Sequence, residues 1–202
     1  MARAQLKHDR DAAVSCAEAF LRLAEPVVIR IGKDVPESTT QSRPFLPSMG
    51  DVAAAATNLA FAIELYIKGI LIASRIEPPA GRDGHNLGKL YAALPQHFKD
   101  VIERSYEETL KNDWNGRYPS ITVAMRPEPA NLPKWDDNLS QSLGLGPLLD
   151  RSSDIFSSWR YIYEFNNPGE GGWKSRHFEY GLLLSACRAM RDTINWLRKT
   201  QE

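Results

Sequence analysis

Apolar positions recur at spacings of three and four along most of the chain, the period of helices that bury one face. From about Gln5 to Leu23, Ala12, Ala13, Cys16, Phe20 and Leu23 share a face, and Pro26 is expected to end or kink the helix. The Val-Val-Ile-Arg-Ile run that follows reads either as a further helical turn or as a short edge strand, and it leads into a Pro-containing connection up to Met49. The second helix is the clearest element. It runs from Asp51, a candidate N-cap, to Arg75, and Pro78-Pro79 closes it. It is apolar on nearly all sides, and Thr57, Glu64, Lys68 and Arg75 fall within roughly 40° of one another, a narrow polar stripe.

Gly81-Arg82-Asp83-Gly84 is a turn signal; His85-Asn86 then opens a short helix carrying Leu87, Leu90, Tyr91 and Leu94. Pro95 starts another, with Phe98, Val101, Ile102 and Tyr106 on its apolar face. The helical period breaks over 114–137, a Pro-rich loop insert in which Ile121-Thr122-Val123 reads as a short strand, with a small hairpin as one arrangement. Helical spacing returns from Leu148 to Phe165, stops at Pro168-Gly169-Glu170-Gly171-Gly172, and resumes from Lys174 to Arg198. In this last helix Tyr180, Leu183, Cys187, Met190, Ile194 and Leu197 form a heptad-like seam. The pattern predicts an all-α fold: one domain over 1–202, an up-and-down bundle of four to five main helices interrupted by the insert.

Composition narrows the class. The 202 residues balance 25 basic against 25 acidic side chains, so bulk electrostatics do not point to a protein that coats nucleic acid. Two cysteines, Cys16 and Cys187, exclude a disulfide-built scaffold and a Cys-based zinc module, and read as reduced core thiols of a cytoplasmic protein. The charged start, Met1 to Arg10, has no apolar signal-peptide core. Val52 to Ala73 is long enough to span a bilayer, but Glu64 and Lys68 near its middle each cost roughly 2.5–3.5 kcal/mol on insertion, so a buried helix is expected and no membrane partner. No metal-ligand spacing, phosphate loop, His-Glu-x-x-His or Gly-x-Ser-x-Gly is present, and no cofactor is expected.

The residues that can carry chemistry are two i,i+4 pairs, Glu64–Lys68 and Arg160–Glu164, the second inside the aromatic run Trp159-Arg160-Tyr161-Ile162-Tyr163-Glu164. If their helices are neighbours, Glu64 faces Arg160 and Lys68 faces Glu164. Such a cluster is either an ionic lock that sets helix register or a functional polar site. His85 reads as a residue capping or packing at a helix start, or as a proton-transfer group. His177 reads as a loop anchor or a general base, while His8 and His97 look like surface residues.

Asn58 to Leu71, with its Glu64-Leu65-Tyr66-Ile67-Lys68 core, then Gly84-His85-Asn86-Leu87, then Trp159-Arg160-Tyr161-Ile162-Tyr163-Glu164, together resemble the HEPN superfamily, most of all its uncharacterised branch with these three motifs. The resemblance covers about 51–94 and 150–198 and implies a helical bundle, usually dimeric. Many relatives are metal-independent ribonucleases of bacterial toxin–antitoxin and defence systems; others are non-catalytic binding or regulatory modules. The catalytic members share Arg-x(4–6)-His, an Arg to steady the phosphate and a His to move the 2′-hydroxyl proton. At that distance from Arg160 this chain has Phe165, Asn166 and Asn167. Asn166 can hold a phosphate but takes no proton at neutral pH. The resemblance and this departure together imply a dimeric binding or regulatory module, with RNA or an antitoxin-like protein as partner. The alternative is a ribonuclease with a rearranged site built from Arg160, Glu164 and either His85 or His177.

Overall fold

The computed structural model describes residues 9–34, 48–114, 120–125, 143–153, 155 and 174–201. These residues form an all-α bundle. Its long helices are α1 (Arg10–Asp34), α2 (Met49–Ala73), α4 (Gln96–Trp114) and α6 (Tyr180–Gln201), with two short ones, α3 (Leu87–Ala92) and α5 (Leu145–Arg151). Strands β1 (Ile121–Met125) and β2 (Lys174–Phe178) form a two-stranded antiparallel ribbon.

Helix α1 starts where the Asp9 carboxylate accepts from the backbone of Asp11 at 2.8 Å and of Ala12 at 3.2 Å, satisfying two N–H groups that have no helical partner. It then runs through Pro26, so Pro26 does not end it and the Val-Val-Ile-Arg-Ile run is helical. The buried face also differs from the expected one. Val14, Ala17, Leu21, Ala24, Val28 and Ile31 face the core, while Cys16 and Leu23 are exposed. The helix carries two apolar stripes, and the one richer in Val, Leu and Ile removes more apolar area from water, so it wins the core. The reading of Cys16 as a core thiol is therefore corrected; Cys187 is buried, and burial pushes its thiol well above the usual range.

Helix α2 is capped by Ser48, whose Oγ accepts from the Asp51 backbone N–H at 3.1 Å, and not by Asp51 itself. Asp51 instead accepts from Arg30 Nη2 at 3.0 Å, and Phe20 stacks on Phe61 at 4.9 Å between ring centres, which sets α1 and α2 antiparallel. The helix stops short of Arg75, which takes a left-handed φ of 60° while Ile76 N–H reaches back to Leu71 O. Met49–Ala73 is long and apolar enough to cross a membrane, but 72% of its most apolar window is buried against the rest of the chain.

The α6 seam lies wholly inside: Tyr180, Leu183, Cys187, Met190, Ile194 and Leu197 are all buried. Its guanidinium at Arg188 ties three helices, donating to Glu25 on α1 at 2.9 and 2.5 Å and to Asp113 on α4. All three side chains are about a quarter exposed or less. Charge-assisted bonds at this depth matter, and we expect Arg188→Met to cost about 1.5–3 kcal/mol, read as a lowered urea midpoint.

The expected start of this helix at Lys174 is corrected to Tyr180. Residues 174–178 form β2 and pair with β1 in the register Ile121↔Phe178, Thr122↔His177 and Val123↔Arg176. The strand expected at Ile121-Thr122-Val123 is present, and the strand it pairs with, β2, lies beyond the insert. Phe178 and Tyr180 are both buried, two residues apart, a strand-like spacing across the junction that the helical period hides. Of the helix expected over 148–165, the described part is α5 and the neighbouring Ile155.

Candidate functional site

Glu64 sits on α2 at 4% exposure, among buried helix neighbours that include Ala60, Ile63 and Ile67 along the sequence. A carboxylate taken out of water loses several kcal/mol of hydration, and it persists only where donors replace that water. Two do. Lys68 Nζ donates to Oε1 at 2.6 Å from one turn along the helix, and His85 Nδ1 lies 3.1 Å from Oε2. Each oxygen thus has its own cationic or ring N–H partner. Because the carboxylate accepts, the imidazole donates from Nδ1, which turns Nε2 away from Glu64.

The backbone that delivers His85 is built for close approach. Residues Gly81–His85 form one 3-10 turn after Pro78-Pro79, entered at Gly81 with φ 62°, a conformation that suits glycine. At Gly84 an added Cβ would stand 2.5 Å from the Pro79 carbonyl oxygen and 3.9 Å from Lys68 Nζ. Only hydrogen fits there, so Gly84 lets the turn lie on the Glu64–Lys68 pair. His85 does not cap the helix that follows: Asn86 does, its Oδ1 accepting from Lys89 N at 2.9 Å. Ser153, just past α5, lies 3.2 Å from the same Asn86 oxygen and accepts from Gly88 N at 3.3 Å, which latches the end of α5 to the Gly-His-Asn-Leu turn.

The His85 side chain is 56% exposed while its carboxylate partner is 5% exposed. A buried acid holding a surface imidazole in one orientation is an arrangement that can position a ring for binding or for proton transfer. The structure therefore joins Glu64, Lys68 and His85. Arg160, Glu164 and Asn166, expected beside them, lie outside the described residues, as do Trp159, Tyr161 and Tyr163.

His177 belongs to a different group. It stands on β2 opposite Thr122, with Glu179 and Arg151 as its charged neighbours. Arg151 at the end of α5 grips Glu179 with two parallel bonds, 2.7 and 2.9 Å, a fork geometry that arginine favours with carboxylates. Sequence spacing gave no sign of this pair, since 28 positions separate its members. Burial, first, and Arg151, in part offset by Glu179, hold the His177 imidazole below its ordinary 6.5. The folded ring thus resists protonation more than the unfolded one. Its contribution to stability is complete above about pH 6.5 and falls as the solution is acidified through the folded value. We expect urea midpoints measured from pH 7.5 to 5 to drop less steeply in His177→Gln than in the wild type.

Among the described residues, no group of three His, Cys, Asp or Glu side chains is arranged to hold a metal ion. Fold and site together define an all-α bundle with a carboxylate-centred polar cluster on the largely buried helix α2. No family model matches the chain, and no curated protein or solved structure matches it.

Proposed function

We propose that the chain is a HEPN-like helical module of the cytoplasm that binds and does not cut: a dimeric binding or regulatory protein whose partner is RNA or an antitoxin-like protein of a bacterial defence or toxin–antitoxin system. The observation that carries this reading is the meeting of two of the three resembling motifs at one carboxylate, Lys68 and His85 on Glu64. Motif residues spaced 21 positions apart that converge on a costly buried charge support a shared site over chance similarity. The absence of a His five to seven positions beyond Arg160 supports a non-catalytic member.

A second reading, a metal-independent endoribonuclease with a rearranged Arg/His site, is favoured by the exposed, carboxylate-held ring of His85. The two separate in one assay: purified protein and single-stranded RNA in excess chelator. The binding reading expects intact RNA. Cleavage that disappears in Arg160→Ala, with the helical circular dichroism retained, overturns it. Cleavage untouched by both His85→Ala and His177→Ala removes the second reading.

A further inference from the structure

The turn that carries His85 is held from two sides. On one side is α2, where His85 Nδ1 meets Glu64 and Gly84 leaves room for Lys68. On the other side is the end of α5. A Cβ built on Gly88 would stand 2.1 Å from Asp150 Oδ1 and 3.1 Å from Asp150 Cα, so the start of α3 lies directly on the last turn of α5. Close backbone approach requires glycine at both contacts, and His85 lies between them in the chain. Polar groups complete the α5 contact. The Gly88 amide belongs to the first turn of α3 and has no acceptor within that helix. Ser153 Oγ supplies one at 3.3 Å, from 65 positions along the chain. The one proton of the same hydroxyl has two acceptors in reach, Leu149 O at 3.0 Å and Asn86 Oδ1 at 3.2 Å. Asn86 Oδ1 also accepts from Lys89 N at 2.9 Å, so one oxygen both caps α3 and meets Ser153. Asn86 follows His85 directly, so whatever fixes Asn86 fixes the point from which the imidazole is aimed.

The two sides of this contact differ in how firmly they are set. On α5, Leu145, Leu148 and Leu149 are buried, and the Arg151–Glu179 fork ties its end to the start of α6. His85 reaches its carboxylate through one bond of 3.1 Å, and its side chain is more than half exposed. A single hydrogen bond beside water gains no more than the ordering of one residue costs. The firm side is therefore α5, and the side that needs support is the turn.

We propose that Ser153, with the end of α5 behind it, is the positioning residue for His85: its hydroxyl seats the Gly-His-Asn-Leu turn so that the imidazole stays on Glu64. This rests on the reading of the Glu64 cluster as the working site and names what holds its ring. It also places control of the site outside its own members. A displacement of α5 releases the ring and leaves the Lys68–Glu64 pair, which lies within α2, intact.

Exchange of the His85 Nδ1 proton with water, followed in nitrogen-15 spectra at a pH where the rings are neutral, tests the proposal. Ser153→Ala is expected to raise the exchange rate about tenfold, the effect of one lost hydrogen bond on the opening of the turn. Ser153→Thr keeps the hydroxyl and is expected to stay near the wild-type rate. Arg188→Met, which weakens the fold at the tie between α1, α4 and α6, is expected to leave the rate unchanged. A wild-type rate in Ser153→Ala, or an equal rise in Arg188→Met, overturns the positioning role. So does a Ser153→Thr protein that exchanges as fast as Ser153→Ala, because the effect then lies in packing and not in the hydroxyl. Glu64→Gln keeps this failure apart from failure of the site. A His85 spectrum that responds to Glu64→Gln leaves the Glu64 cluster standing without Ser153, and one that does not respond removes both.

Discussion

Lys68→Met is expected to destabilise the protein by about 3–5 kcal/mol, the cost of leaving a buried charge without its nearest counter-ion. The Lys68 ammonium lies 2.6 Å from an oxygen that is almost fully removed from solvent, and Met keeps the aliphatic stem while deleting only the charge. His85 remains on the other oxygen but is more than half exposed, so water screens much of its contribution. The informative contrast is the double variant Glu64→Leu with Lys68→Met. Replacing both members of a buried pair by apolar groups is often neutral, so the double variant is expected to recover most of the lost stability. A urea series on the two singles and the double measures this. If the double variant is as unstable as Lys68→Met alone, the buried charge is not what the ammonium serves.

The second large effect is at Gly84. A methyl group there would meet the Pro79 carbonyl oxygen at 2.5 Å, a backbone atom of the segment that leads into the tight turn, so neither side moves cheaply. Overpacking of this kind costs about 1–3 kcal/mol, more when the backbone must shift. We expect Gly84→Ala to lie at the upper end. We also expect the turn to lift from α2, which would take His85 away from Glu64. Gly81→Ala in the same turn makes a useful contrast, because nothing lies within 4 Å of the added Cβ and only its left-handed φ is penalised. That variant is expected to lose about 1 kcal/mol and to keep the site.

The polar stripe of α2 was legible in the sequence because a helix apolar on its other sides makes four polar residues conspicuous, and Glu64 and Lys68 do sit together on it. The α6 seam was legible for a similar reason, since Leu, Met and Ile at spacings of three and four leave one choice of face. On α1 the same rule was ambiguous. Its small residues, Ala12, Ala13 and Cys16, line up as well as Val14, Leu21 and Val28 do, and only burial against α2 decides between them. The strand at 174–178 was hidden because its partner lies about 50 positions back, and a pairing over that distance leaves no local period. His85 beside Asn86 was half legible: the helix start was visible, but which of the two caps it depends on turn geometry that residue types alone do not fix. Arg151–Glu179 and the Arg188 tie to α1 and α4 join residues far apart in sequence, which spacing does not connect.

Nitrogen-15 spectra of the imidazoles, recorded on the wild type and on Glu64→Gln at a pH where the rings are neutral, test the site most directly. In the wild type the His85 resonances are expected to carry the mark of a proton on Nδ1 donated to a carboxylate. In Glu64→Gln that mark is expected to be lost while the His177 signals stay in place. His85 spectra that do not differ between the two proteins would contradict a site organised by Glu64.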